Sequence, residues 1–215
     1  MLIISMRQLI LASQSPRRQA MLNELKIPFT VYAPKGEELK APKKLGSQKA
    51  ELIVRKIAEQ KAIMSWQELF SDEVLQSDRN IERKNEEKII LTADTLVFLD
   101  GLVLGKPLDR KDASRMLKKL SNNMHEVCTG VCLYGDNHCE SFAVKTKVHF
   151  SKLSKTLIEW YLDSGEPFDK AGSYGVQGLG SSFIKKIQGS YSNVVGLPLS
   201  ETLEALEKWK LFPWA

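Results

Sequence analysis

The stretch from Ile89 to Leu99 constrains this chain more than any other part of it. It is rich in β-branched and apolar residues. It ends at Asp100-Gly101, a pair that favours the left-handed conformations of a tight hairpin turn, and Leu102-Val103-Leu104 follows at once. Such a run reads as a central strand that turns back on itself. One carboxylate, Asp94, stands inside it. An acid in these surroundings is costly unless it is paired, metal-bound or at the open end of a strand. Asp94 is therefore a candidate metal ligand or general base; held by backbone N–H groups instead, it would be structural.

Strand and helix signals alternate around that run. Leu9-Ile10-Leu11-Ala12 reads as the end of a strand, and Ser13-Gln14-Ser15-Pro16 supplies cap residues and a proline for a helix start. Ala20, Met21, Leu22 and Leu25 then mark an inner helical face. A strand at Phe29–Ala33 leads into a Lys-rich loop through about residue 46. Helical spacing of Leu52, Ile53, Ile57 and Met64 predicts a long helix over 47–64. From 66 to 88 the charge density rises and the period weakens, which reads as a surface insertion. Further on come a helix over 109–120, strands near 126–134 and 139–150, a helix over 154–162, a Gly-rich segment over 165–196 and a closing helix near 200–210. The pattern predicts a mixed α/β fold: one twisted sheet with flanking helices in a single domain over 1–215, its two lobes around a cleft.

Composition narrows the field without naming a ligand. The chain has 215 residues, and its 31 Lys and Arg against 26 Asp and Glu leave a net charge of +5. A mildly basic chain suits an anion, whether nucleic acid or a free nucleotide. No apolar run reaches the roughly 18–20 residues of a membrane span. Residues 1–12 are apolar, but Arg7 interrupts them and Ser15-Pro16-Arg17-Arg18 follows where a leader would carry a small-residue cleavage site. The expectation is a cytoplasmic protein with no membrane partner. Cys128, Cys132 and Cys139 lie near His125 and His138 in no standard zinc spacing, and Cys128 and Cys132 fall in a strand-like stretch; ordinary thiols are expected.

Besides Ala93-Asp94-Thr95, three further segments are candidates to carry chemistry. Ser13 to Arg18 spans a strand-to-helix junction, where free N–H groups and two guanidinium forks suit phosphate oxygens; as a capped helix with solvated arginines it would bind nothing. Gly105-Lys106-Pro107 has the wrong spacing for a Walker loop, and its proline blocks the helix such a loop requires. Its lysine, on a rigid turn beside the Asp94 strand, is still placed to touch phosphate. The glycines of 165–196 let backbone approach a ligand closely, although turn-making alone accounts for them equally well. Gly178-Leu179-Gly180 lacks the third glycine of a dinucleotide fingerprint.

Taken in order, four blocks resemble the Maf-like nucleotide pyrophosphatases. They are Leu11-Ala12-Ser13-Gln14-Ser15-Pro16-Arg17-Arg18, then Ala58-Glu59-Gln60-Lys61-Ala62, then Ala93-Asp94-Thr95 through Gly105-Lys106-Pro107, and last 165–199, ending in Val195-Gly196-Leu197-Pro198-Leu199. The resemblance covers nearly the whole chain outside 66–88. It implies an inosine triphosphate pyrophosphatase-like cleft and metal-dependent attack of water on the α-phosphorus of a nucleoside triphosphate. Asp94 is then the proton acceptor, Glu38 its partner in holding Mg²⁺ or Mn²⁺, and Lys61, Lys106 and Arg17 neutralise the triphosphate, with Ser13 and Arg18 among the binding residues. Lys35-Gly36-Glu37-Glu38 departs from the Asp-Glu pair usual in the family, so Glu37 and Glu38 both stand as candidates for the metal.

The resemblance also divides substrates. One branch of the family acts on dTTP and UTP, and a sister branch prefers 7-methyl-GTP with Trp, Gln and Glu at the positions held here by Arg17, Thr95 and Gln177. All three residues are similar to the dTTP/UTP branch. A regulatory protein of septum formation, binding nucleotide or nucleic acid, is the alternative. Aromatic residues are 8% of the chain and the basic positions cluster with carboxylates, whereas general nucleic-acid binders interleave aromatic platforms with basic residues. No stable nucleic-acid partner is expected, and a homodimer is the assembly considered.

Overall fold

The computed structural model describes residues 7–35, 41–44, 49–74, 88–135 and 138–211. Its centre is a seven-stranded mixed sheet of order β2-β1-β3-β5-β6-β7, with β4 paired to β3. These strands are β1 Gln8–Ala12, β2 Thr30–Tyr32, β3 Lys88–Leu99, β4 Leu102–Leu104, β5 Met124–Gly135, β6 His138–Phe150 and β7 Ile184–Gln188. β1 runs parallel to both β2 and β3, and every other pairing is antiparallel. The expected α/β class is what the chain adopts. Asp100 and Gly101 both have positive φ and close the β3–β4 hairpin as the sequence predicts.

Helices cover both faces. α1 (Pro16–Glu24) and α6 (Leu199–Lys208) bury Met21, Leu22, Ala205 and Leu206 against Leu9, Leu11, Ile89 and Leu91. On the other face α2 (Ala50–Val74) packs Ala58 and Ala62 on Ile10 and Ile90, and Val54 and Ile57 on Leu96 and Phe98. α3 (Arg110–Leu120) and α4 (Lys155–Asp163) join α1 and α6 on their side of the sheet, around Val97 and Leu99. α3 begins on Asp109, whose side chain accepts from Asp112 N–H, and ends with Lys118 and Lys119 opposite the negative end of its dipole.

Two elements differ from the sequence expectation. The helix predicted to end at 64 continues to Val74, so the first part of the expected surface insertion is helix. Phe70 is buried there, and Trp66 packs on both Phe70 and Tyr134. Three aromatic rings make this turn an anchor that charge density alone conceals. Residues 75–87 of that segment, like Glu37 and Glu38, lie outside the described residues. The second difference is β7, which crosses the segment read only as Gly-rich: its Lys147–Gln188 to Phe150–Ile184 pairing adds an edge strand bearing Lys185 and Lys186, charges of the kind that discourage further edge pairing.

The buried core falls into four clusters, two on each face, with the partly buried Ile184 and Val194 packed against both clusters of one face. On one face Ile89, Leu91 and Ala93 belong to one cluster and Val97 and Leu99 to a second. On the other, Ile90 belongs to a third, and Leu96 and Phe98 to a fourth. β5 is split in the same place, with Val131, Leu133 and Cys132 on one side of the divide and Val127 and Cys128 on the other. The residues left at the divide are Thr92, Asp94 and Thr95 on β3, and Thr129 and Gly130 on β5.

Candidate functional site

That polar seam coincides with a reversal of chain direction. From β1 the chain passes through α1 to β2 on one side, then returns through α2 to β3 on the other side of β1. In open α/β sheets ligands bind at such switch points, beyond the carboxyl ends of the parallel strands. β1 accompanies β3 only as far as Leu91. Beyond it, Asp94 and Thr95 stand beside the β1–α1 turn.

Asp94 and Thr95 point to opposite faces, as neighbours on a strand must. Asp94 faces α2, where Lys61 Nζ donates to its Oδ1 at 2.6 Å; the two side chains are 17% and 12% exposed. Thr92, on the same face, donates to the carbonyl of Ala58 at 2.7 Å and fixes the height of the helix over the strand. Gly130, directly opposite Asp94 in the register, explains how α2 comes so close. A Cβ there would meet the carbonyl oxygen of Val54 and, at 2.6 Å, the amide nitrogen of Arg55. Oδ2 of Asp94 makes no hydrogen bond among the described residues, so a hard oxygen donor remains, of the type that suits Mg²⁺ or Mn²⁺.

Thr95 belongs to a second network on the far face. Arg18 Nη2 donates to Thr95 Oγ1 at 3.1 Å, Nη1 to Ser13 Oγ at 3.2 Å and Nε to the carbonyl of Gly196 at 2.8 Å. Thr95 Oγ1 lies 2.9 Å from Thr129 Oγ1, which donates to the carbonyl of Asn193 at 3.1 Å. Asn193, fully buried in α5 (Tyr191–Val195), donates in turn to Val127 O and Thr146 Oγ1. Ser13 and Arg18 therefore tie the β1–α1 turn to β3 and to the Gly196 loop. Ser13 Oγ also accepts from Ser15 N–H, and Ser15 caps α1 with no side-chain bond.

Arg17 takes another direction: its Nη1 lies 3.2 Å from Asp169 Oδ2, while Lys170 Nζ holds Asp169 Oδ1 at 2.5 Å. Burial raises the Asp169 carboxyl, but the hydrogen bonds from Lys170 and Arg17 outweigh it and its pKa lies below the ordinary value. Gly172 N–H donates to the carbonyl of Gly105, so this segment seats against the turn carrying Lys106, which is exposed. Gln177 is exposed too, one residue before Gly178, whose φ of +73° disfavours any side chain. Its loop is clamped by Glu166, which accepts from Leu179 N–H, Gly180 N–H and Tyr161 Oη at 2.9, 3.1 and 3.0 Å.

The structure thus brings Asp94 and Lys61 into contact, and joins Ser13, Arg18 and Thr95 in one network. Arg17 sits with Asp169, and Lys106 and Gln177 lie on turns fixed by Gly172 and Glu166. Sequence reasoning missed Thr129, Asn193, Asp169 and Glu166. Only the Gly-rich setting of the last three hinted at them. Among the described residues no group of three His, Cys, Asp or Glu side chains is placed to hold a metal ion.

Fold and seam together define the class: a mixed α/β protein with a carboxylate, Asp94, paired to Lys61 on one face of the central sheet and Arg18 bound to Thr95 on the other. The chain belongs to the Maf-like protein family, whose model matches residues 8–209. It is 43% identical to the dTTP/UTP pyrophosphatase of Halalkalibacterium halodurans, over 94% of this chain and 96% of that one. It is also 43% identical to the dTTP/UTP pyrophosphatase of Pseudoalteromonas atlantica, over 94% and 97%. Among solved structures, the Staphylococcus aureus Ham1 protein covers 95% of this chain at 13% identity and a TM-score of 0.48, too distant to carry an argument. No helix among the described residues is long and apolar enough to cross a membrane.

Proposed function

We propose that this chain hydrolyses dTTP and UTP, and modified pyrimidine triphosphates of the same shape, to the monophosphate and pyrophosphate. In the cytoplasm it would clear such nucleotides before polymerases use them. The observation that carries the reading is the Asp94–Lys61 pair, 2.6 Å apart at the seam, in a chain so similar to proteins named for that activity.

Asp94 takes the proton of the water that attacks the α-phosphorus, the bond to the bridging oxygen breaks, and pyrophosphate leaves. Lys61 orients the carboxylate through Oδ1. Arg17 and Lys106 meet the charge that builds on the departing phosphates, the place where fixed cations contribute most to such a reaction. Mg²⁺ or Mn²⁺ would be held by Asp94 Oδ2 and by Glu38, or Glu37 if the loop is offset by one residue; when bound it draws charge from the phosphate oxygens. Thr95 and Gln177 read the base: the amide of Gln177 offers both a donor and an acceptor to a pyrimidine edge.

The test is pyrophosphate release from dTTP, UTP, CTP, GTP and 7-methyl-GTP with Mg²⁺, with Mn²⁺ and with EDTA, run beside Asp94→Asn. Turnover led by dTTP and UTP, lost with EDTA and lowered about 10²–10⁴-fold in the variant, is expected of a general base. Folded protein that turns over none of the five nucleotides removes the reading, and undiminished activity of Asp94→Asn removes the role of Asp94.

A further inference from the structure

A pair of thiols stands apart from the seam. Cys132 on β5 and Cys139 on β6 have their Sγ atoms 3.3 Å apart. The register pairs Cys132 with Ser141 and Tyr134 with Cys139, so the cysteines are diagonal neighbours on adjacent antiparallel strands. Both side chains lie on the face turned to α2, where Cys132 packs with Ala58 and Ala62. Cys132 is fully buried and Cys139 is exposed. Cys128 is buried four residues along β5 in a different cluster, opposite Lys145, roughly 13 Å away at the rise of a strand.

We propose that Cys132 and Cys139 form a reversible intramolecular disulfide when the protein meets a hydroperoxide. The inference is independent of the nucleotide chemistry. Cys139, the accessible sulfur, attacks one peroxide oxygen as its thiolate. The O–O bond breaks, Cys139 becomes a sulfenic acid by two-electron oxidation, and the other oxygen leaves as water or an alcohol. Cys132 then attacks the Cys139 sulfur, giving up its proton as hydroxide departs, and a second water leaves. Two thiols and one peroxide become one disulfide and two waters, or one water and one alcohol.

Geometry assigns the order of events. Burial raises the Cys132 thiol far above its ordinary range, and the hydrogen bond with Cys139 adds to it, so Cys132 is suited to resolve rather than to attack first. A disulfide has S–S near 2.0 Å, and the sulfurs need approach by only about 1.3 Å from their present contact. The end of the β5–β6 hairpin lies three residues beyond Cys132, where small changes in strand twist displace little of the sheet.

The experiment treats folded protein with hydrogen peroxide, denatures it, alkylates the remaining thiols with iodoacetamide and measures intact mass. All three cysteines fall in the tryptic segment 120–145, so a second cleavage ahead of Asp136 separates Cys139 from the other two, and fragment ions tell Cys128 from Cys132. The expected result is a monomer lighter by two hydrogens, with only Cys128 alkylated, a Cys132–Cys139 link, and recovery of all three thiols with dithiothreitol. Cys128→Ser should form the same link, and in Cys139→Ser both remaining thiols should alkylate. Three free thiols after treatment, oxygen adducts on Cys139 with Cys132 still alkylated, or a link through Cys128 or between chains would overturn the proposal.

Discussion

Gly130→Ala tests the idea that close approach of α2 to β5 sets the site. The added methyl would stand 2.6 Å from Arg55 N and closer still to Val54 O, both main-chain atoms of the helix, where ordinary contact begins at 3.4 Å. Neither atom can rotate away, so α2 must lift by at least about 0.8 Å, the difference of those two distances. Overpacking a filled interior costs about 1–3 kcal/mol, and a rigid neighbour argues for the upper end, about 3 kcal/mol. At roughly 2–4 °C per kcal/mol for a chain of this size, Tm should fall by about 6–12 °C. Lys61 rides on the same helix. Lengthening its 2.6 Å contact with Asp94 by that amount passes the outer limit of a good hydrogen bond, about 3.2 Å. Misplacement on this scale costs up to roughly 10²-fold in rate. Thermal unfolding and pyrophosphate release from dTTP measure both effects. Gly105→Ala is the stability control, because a Cβ there has no atom within 4 Å, and its Tm should stay within about 1 °C. A Gly130→Ala protein with parental Tm and kcat refutes the reasoning.

Two further outcomes follow from the site and its surroundings. Gln177→Glu replaces an amide donor by a carboxylate on a loop whose backbone Glu166 keeps in place, so dTTP and UTP use should fall about 10–100-fold relative to 7-methyl-GTP; an unchanged ratio of kcat/KM values means that Gln177 does not read the base. His125 is 1% exposed, and burial lowers its pKa to about 3. Its folded pKa is below the unfolded value of about 6.5, so the stability it contributes is present above pH 6.5 and is lost as pH falls toward 3, amounting to about 2 kcal/mol by pH 5. Urea midpoints at pH 7 and pH 5 should drop less in His125→Gln than in the parent, and equal drops exclude His125 as the source.

How much of this was legible in the sequence depends on the range of the interaction. The β3–β4 hairpin was readable because Asp100 and Gly101 act within four residues, and α1 because Pro16 and the preceding serines act within one turn. Asp94 stood out because an acid in an apolar run is conspicuous by itself. β7 was hidden because Gly178, Gly180 and Gly189 around it mask a short strand whose partner, β6, lies some forty residues upstream. The extension of α2 was hidden because Trp66 and Phe70 reveal their burial only once Tyr134 is brought beneath them. Thr129 is the clearest omission. A threonine in a β-strand is unremarkable, and its part in the Arg18–Thr95 network exists only when β3, β5 and α5 meet.

The divided core has a mechanical consequence. β3, β5 and β6 pass through the divide without interruption, hydrogen-bonded to one another on both sides of it. The halves of the molecule are therefore joined by a stiff three-ply floor, with α2 packed along it on both sides of the divide, rather than by a hinge peptide. Moving one half against the other means bending or twisting those strands together, and their cross-strand bonds resist large excursions. The 3.2 Å contact between Arg17 and the exposed Asp169 lies outside that floor and can open without bending it.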